Sequence, residues 1–206
     1  MRRFKYFWNF TDEEQWLNEM ARDGKHFMYR SFGYRFEKGE PKDTTYKTDY
    51  RMFKKKADFD DYEMLFEDSG WQRLPCPRRN GHQYFKRVRD DASDDIFSDQ
   101  TSKAARYKRL SELFYNQFIM FLPILVVFIF TNNNLNALNL MNPIDWYLTP
   151  ELWERTGSAF WRAFLFETPF ALLRGLTFYL VLFCFLFYGY YYWKAKKQHE
   201  KESKIF

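Results

Sequence analysis

The apolar and polar positions of this chain follow two regimes. Through the first half the rhythm changes often and the runs are short; after residue 112 long apolar stretches take over. Arg3–Phe10 alternates loosely and predicts a strand. Thr11-Asp12-Glu13-Glu14 then has the form of a capping box, with Trp16, Leu17 and Met20 as the apolar face of a helix and Gly24 as its stop. His26–Arg30 and Tyr34–Glu37, joined through Ser31-Phe32-Gly33, predict a hairpin. The pattern then recurs. Thr44–Met52 alternates as a strand, and Asp58–Ser69 predicts a helix with Tyr62, Leu65 and Phe66 inward, closed by Gly70. Trp71–Leu74 and Gln83–Val88 predict a second hairpin. In both halves a helix ends on an acidic residue near Gly and passes straight into a strand. The expectation is an α+β domain over residues 1–89, an antiparallel sheet with two helices built from a duplicated βαββ unit.

Residues 90–112 predict an acidic, solvated linker and a juxtamembrane helix that Ser98 or Asp99 caps and that buries Ala105, Leu110, Leu113 and Phe114. Two apolar stretches follow, uncharged over Leu113–Ile144 and Gly175–Trp193 and long enough to cross a bilayer, with spans expected at 113–131 and 172–193. Between them, 132–171 is an aromatic-rich loop that opens on the polar turn Asn132-Asn133-Asn134-Leu135-Asn136. Arg174, at the mouth of the second span, is read as a snorkelling interfacial arginine. The second span ends in Tyr188, Tyr190, Tyr191, Tyr192 and Trp193, then Lys194, Lys196 and Lys197 in the basic tail, 194–206. Aromatic rings followed by lysines are the expected membrane-interface anchors of a cytosolic end. Basic residues from Lys103 to Arg109 precede the first span, so the chain reads as multi-pass in the cell membrane with both termini cytoplasmic and residues 132–171 external. The helices also offer a route to oligomerisation.

Composition refines this picture. Aromatic residues make up 23% of the chain, which suits a ring-packed core and a membrane interface alike. The net charge of +5 is modest and of mixed sign, which argues against a nucleic-acid partner. Arg30-Ser31-Phe32-Gly33-Tyr34-Arg35-Phe36 is similar to the aromatic strand of an RNA-recognition sheet, but it is broken across a hairpin. Phe32, Tyr34 and Phe36 share one face, which a helix could cover; otherwise that face is the candidate interaction surface. Cys76 and Cys184 lie in different regions and predict no disulfide. The histidines His26, His82 and His199 show no metal spacing, and there is no phosphate-cradling loop or serine elbow. Glu13/Glu14 and Asp60/Asp61 fall in first helical turns, where they complement the helix dipole. Neither an enzyme nor a cofactor is expected.

Glu14-Gln15-Trp16-Leu17-Asn18-Glu19-Met20, Gly24, Tyr34-Arg35-Phe36, Tyr46, Asp49-Tyr50, Leu65-Phe66, Gly70-Trp71, Tyr84-Phe85, Ile96-Phe97-Ser98-Asp99 and Tyr107 form an ordered set. It resembles the bacterial domain-of-unknown-function family 2812 over about residues 3 to 110. Members of that family place this domain ahead of membrane helices, and their genes often neighbour PadR-type transcriptional regulators; the resemblance implies a cytosolic regulatory or accessory role and transfers no catalytic residue. The resulting expectation is a membrane-anchored, non-enzymatic regulatory or sensor protein that binds a cytosolic, transcription-regulatory protein and the lipid bilayer. The alternative is an accessory subunit of a membrane transporter complex.

Overall fold

The computed structural model describes residues 1–77, 80–130 and 137–204. The chain divides into two compact units, Met1–Arg109 with Gln198–Phe206, and Leu110–Lys197. The stretch Gln100–Arg109 and the C-terminal tail thus cluster with the N-terminal domain. The expected polar turn at 132–136 lies outside the described residues.

The first unit repeats one motif. Its elements are β1 (Arg2–Arg3), α1 (Phe10–Arg22), β2 (Lys25–Ser31), β3 (Gly33–Lys38), β4 (Tyr46–Tyr50), α2 (Lys56–Asp68), β5 (Trp71–Arg73) and β6 (His82–Arg87). Each half forms a three-stranded antiparallel sheet with its last strand in the middle, in the orders β1-β3-β2 and β4-β6-β5. The duplicated βαββ unit is therefore present in topology. It is also present in backbone detail, because one offset relates α1 to α2 and Gly24 to Gly70. In both copies the glycine takes a left-handed φ, +72° and +83°, after a cap residue with φ near −81°. That conformation turns the chain from helix into strand within two residues, and a side chain there would be strained.

Alternation along β6 sends neighbouring residues to opposite faces of the second sheet. Tyr84 joins the core of Leu17, Met20, Ala21, Phe27, Tyr34, Phe36, Tyr46 and Leu74. Phe85 faces the other core, of Phe53, Phe59, Tyr62, Phe66, Trp71 and Ala92. The second sheet is thus covered on both sides, by α1 and first-sheet residues on one and by α2 on the other. Rings do most of the filling: Phe66 and Phe85 centroids lie 4.3 Å apart and Phe27 and Tyr84 4.9 Å apart. Each fully buried ring contributes about 2–3 kcal/mol of hydrophobic stabilisation before entropy is counted.

Several sequence expectations change here. The strand expected over Arg3–Phe10 shrinks to Arg2–Arg3, because Asn9 caps α1 and draws Phe10 into the helix, buried at 2% exposure. Asn9 Oδ1 accepts from the Thr11 N–H at 3.0 Å, so Thr11 is not the cap and Glu14 does not reach back to it. Leu65 is exposed rather than inward; α2 buries Phe59, Tyr62 and Phe66 instead. The acidic segment is not simply solvated: Asp95 accepts from Lys103 at 2.8 Å and Lys47 at 3.4 Å, and Ala92 joins the second core.

The first apolar stretch belongs to α3 (Gln100–Phe130), a 31-residue helix that Asp99 caps through the Ser102 N–H at 2.7 Å. At its start Ala104, Arg106, Tyr107 and Leu110 are buried, not Ala105. In the second unit α4 (Ala137–Met141) and two 3-10 turns, Pro143–Trp146 and Leu152–Glu154, lead into α5 (Gly157–Ser203), 47 residues long. Much of the expected loop is therefore helix. Glu167 of α5 accepts from the Leu148 and Thr149 backbone N–H groups and from Thr149 Oγ1, tying the connector to the helix. Arg174 donates to the Trp146 carbonyl, so it is held by the connector rather than left to reach for an interface. The second unit's part of α3 and α5 meet through rings: Phe118 with Phe185 at 4.4 Å, Phe114 with Tyr191 at 5.5 Å and Phe128 with Phe178 at 5.5 Å. Both helices are long and apolar enough to cross a membrane, and only 6% and 22% of their most apolar windows are buried.

Gly24→Ala tests the junction. A Cβ there would stand 2.5 Å from the Gly39 carbonyl oxygen, in addition to the left-handed strain. The expected loss is about 2–3 kcal/mol of stability, read as a lowered midpoint in thermal unfolding of the solubilised chain.

Candidate functional site

The helical period places Glu13 on the same face as Leu17 and Met20, and Glu14 beside Leu17 and Ala21. Both carboxylates enter the interior, at 1% and 3% exposure. Burying a charge costs several kcal/mol unless partners satisfy it, and each has its own set. Glu13 Oε1 accepts from Tyr34 Oη at 2.6 Å, Tyr84 Oη at 2.7 Å and the Arg30 guanidinium at 3.2 Å. Arg30 also donates to Tyr84 Oη at 3.0 Å. Burial, then the Glu13 charge, pushes both phenols well above the ordinary tyrosine range. Burial works against the Arg30 cation, but Tyr84 and Glu13 outweigh it and hold its pKa up. The phenols therefore remain protonated donors across the physiological range.

Glu14 Oε1 accepts from the Thr48 N–H at 3.0 Å and from Arg106 at 2.7 Å, with Lys47 Nζ 3.6 Å from Oε2. Arg106 is wholly buried. It donates further to the Thr48 carbonyl at 3.0 Å and lies over the Phe10 ring at 4.9 Å. The next residue, Tyr107, donates from Oη to Asn9 Oδ1 at 2.7 Å and accepts from the Phe10 N–H at 3.1 Å, completing the α1 cap. A third carboxylate repeats the theme. Asp49 Oδ1 accepts from Arg109 at 2.5 Å and Oδ2 from Tyr62 Oη at 2.8 Å, while Arg109 Nε donates to the Tyr50 carbonyl at 2.5 Å. The arginines of α3 thus enter the polar interior of the domain, where the sequence placed them as a basic membrane flank. What this arrangement can do is hold: its acids are met by several donors and its phenols are kept un-ionised.

Other candidate groups have quieter settings. Burial pushes the Cys76 thiol up, and it donates to the His82 carbonyl at 3.1 Å. Burial pushes His82 down to about 3, and its Nδ1 has no hydrogen-bond partner. Among the described residues no group of three or more His, Cys, Asp or Glu stands ready to hold a metal.

The residues singled out from sequence separate. Tyr34 and Phe36 are core residues, at 1% and 2% exposure, and only Phe32 is on the surface, at 82%. A shared aromatic face is therefore not available as an interaction surface; the Gly33 turn lifts Phe32 off it. The terminal aromatic belt also divides. Tyr188, Tyr191 and Tyr192 pair with Phe121, Phe114 and Tyr115 of α3, at 5.7, 5.5 and 5.2 Å, whereas Tyr190 and Trp193 face outward. Lys194 lies over Tyr190 and Lys197 over Trp193, and Lys196 is exposed. Glu13, Glu14, Asp49, Arg106 and Arg109 were not singled out as a site. The available signal was the periodicity that puts Glu13 and Glu14 on the apolar side of α1.

Two outcomes follow. Glu14→Leu leaves Arg106 buried and unpaired, so it should cost about 3–5 kcal/mol, whereas the Glu14→Leu/Arg106→Met pair should restore most of that loss. Thermal unfolding of Glu14→Leu, Arg106→Met and the double variant decides it, and simple additivity of the two single losses would show that the groups do not act as a pair. For His82 the folded pKa lies below its unfolded value of about 6.5, so its contribution is present above pH 6.5 and is lost as pH falls towards 3. Between pH 7 and 5 the wild-type chain should lose up to about 2 kcal/mol more than His82→Phe, measured as the difference between their denaturation slopes against pH.

Among curated proteins and solved structures none matches the chain. A family model does match, over residues 9–119, and its span takes in α1, both sheets from β2 onward and the Arg106–Arg109 turn of α3. The ion-paired interior just described is thus the interior of a known domain type, and the chain belongs to the family described as protein of unknown function (DUF2812).

Proposed function

We propose that this chain is a membrane-anchored, non-enzymatic regulatory or sensor protein, with both termini cytoplasmic, whose α+β domain binds a cytosolic protein. The observation that carries the reading is the continuity of α3. One helix begins at the Asp99 cap, places Arg106 against Glu14 in the domain interior and ends in the apolar stretch at Phe130. At 31 residues it is about 46 Å long, against a hydrocarbon thickness of about 30 Å. The helix exceeds the bilayer by several turns, enough for its Gln100–Arg109 end to remain with the domain. The Glu14–Arg106 contact is where this end of α3 meets α1, so displacing this end of α3 loads that contact directly. A buried ion pair is sensitive to such displacement, since separating it leaves both charges unsatisfied.

The inside orientation draws support from Lys194, Lys196 and Lys197 after the second apolar stretch. Lys103, Arg106 and Arg109 add less than their number suggests, because carboxylates of the domain engage them. The exposed apolar faces of α3 and α5 favour lipid as their surroundings and also suit a second reading, in which they pack on the helices of a transporter.

Crosslinking the intact chain in native membranes, followed by identification of what it captures, separates these readings. Recovery of a soluble regulatory protein is the expected result. Recovery of a permease would favour the transporter subunit, and capture of no protein at all would remove the partner-binding role.

A further inference from the structure

A second surface lies at the β2–β3 turn. Phe4, Tyr6 and Phe32 are exposed at 68%, 68% and 82%, and together with Lys5 they line a shallow depression of about 420 Å³. Among the described residues no acidic side chain lines it. Phe4 and Phe32 meet edge to face at 6.1 Å, and Arg2 lies over the Phe4 ring at 5.9 Å. The register Arg2↔Arg35 and Arg3↔Tyr34 brings a further guanidinium across the strand pair. Gly33 makes this possible. A Cβ there would meet the Arg3 carbonyl and the Phe4 ring at 3.0 Å, so the absence of a side chain lets the chain leaving β1 lie against the turn.

We propose that this aromatic and cationic turn is a contact site for an anionic lipid surface, with Phe4, Tyr6 and Phe32 entering the headgroup layer and Arg2 and Lys5 meeting lipid phosphates. The inference rests on the membrane placement argued above. A domain carried by two membrane helices is held within reach of a bilayer at high effective concentration, so a weak patch suffices. Large aromatic side chains beside cations match the chemistry of that interface, where rings are favoured at headgroup depth and each nearby cation adds about fivefold in affinity for an anionic leaflet. A single-stranded RNA fits less well. It needs successive rings on an open sheet face, and Tyr34 and Phe36 are buried.

The test uses the full chain in nanodiscs of phosphatidylcholine alone or with phosphatidylglycerol, reading amide hydrogen exchange in residues 1–8 and 29–35. Exchange there should be at least about fivefold slower with the anionic lipid, and high salt should erase the difference in the unaltered protein. Arg2→Gln/Lys5→Gln and Phe32→Ser should each reduce it. Equal exchange in the two lipids, or protection by added single-stranded RNA in neutral nanodiscs, would overturn the proposal. Failure of the chain to incorporate into nanodiscs would instead overturn the membrane placement itself.

Discussion

Two neighbouring carboxylates on one turn of α1, both removed from water, organise the N-terminal unit around them. Successive helical residues diverge by about 100°, so Glu13 and Glu14 cannot share partners. Glu13 draws Tyr34 and Arg30 of the first sheet and Tyr84 of the second to a single oxygen. Glu14 takes β4 through the Thr48 N–H and α3 through Arg106. The two sheets and the third helix are thereby fixed in relation to one turn of α1. Apolar packing alone tolerates some sliding, but a buried ion pair has one acceptable geometry. The aromatic core surrounding the pair also keeps water out, which makes that geometry strict.

The fold was largely legible in the sequence because it is written in local signals. Gly24 and Gly70 mark the helix ends, and the runs around Phe27, Tyr34 and Tyr84 alternate as strands must. The repeated helix-to-strand junction was enough to recognise the duplication. The misread charges have one physical source, which is that a charged residue was assigned to solvent or to a helix dipole whenever its partner lay far along the chain. Arg106 is separated from Glu14 by the whole domain, and Asp49 from Arg109 by a helix and two strands. Asn9 is a different case, since its local bond to the Thr11 N–H makes it an ordinary N-cap and only the added Tyr107 hydroxyl comes from far along the chain. Leu65 differs in the other direction: it is apolar and lies outside the buried stripe of α2, which consists of Phe59, Tyr62 and Phe66.

The two long apolar helices were equally legible as hydropathy, but their continuity was not. Charge and aromatic content suggested boundaries near residues 113 and 172, where composition changes. Neither change interrupts the backbone, because Leu, Glu, Lys and Arg are as helix-compatible as the apolar residues that follow. Composition marks where the surroundings of a helix change, whereas caps and glycines mark where the helix itself stops.

The repeat also has an unequal history. Under the offset that superposes the two helices, Glu13 corresponds to Phe59 and Glu14 to Asp60, and Asp60 is exposed. The first helix buries two carboxylates beside Leu17, Met20 and Ala21, and the second buries rings alone, so the halves do not tolerate the same substitutions. At Phe59 another bulky apolar residue is an ordinary change, whereas at Glu13 even a shorter carboxylate would leave three donors reaching for an oxygen that has moved. Divergent members of the family should therefore vary in their second helix and keep their first. A member that has lost Glu14 should also have lost the arginine that follows it in α3.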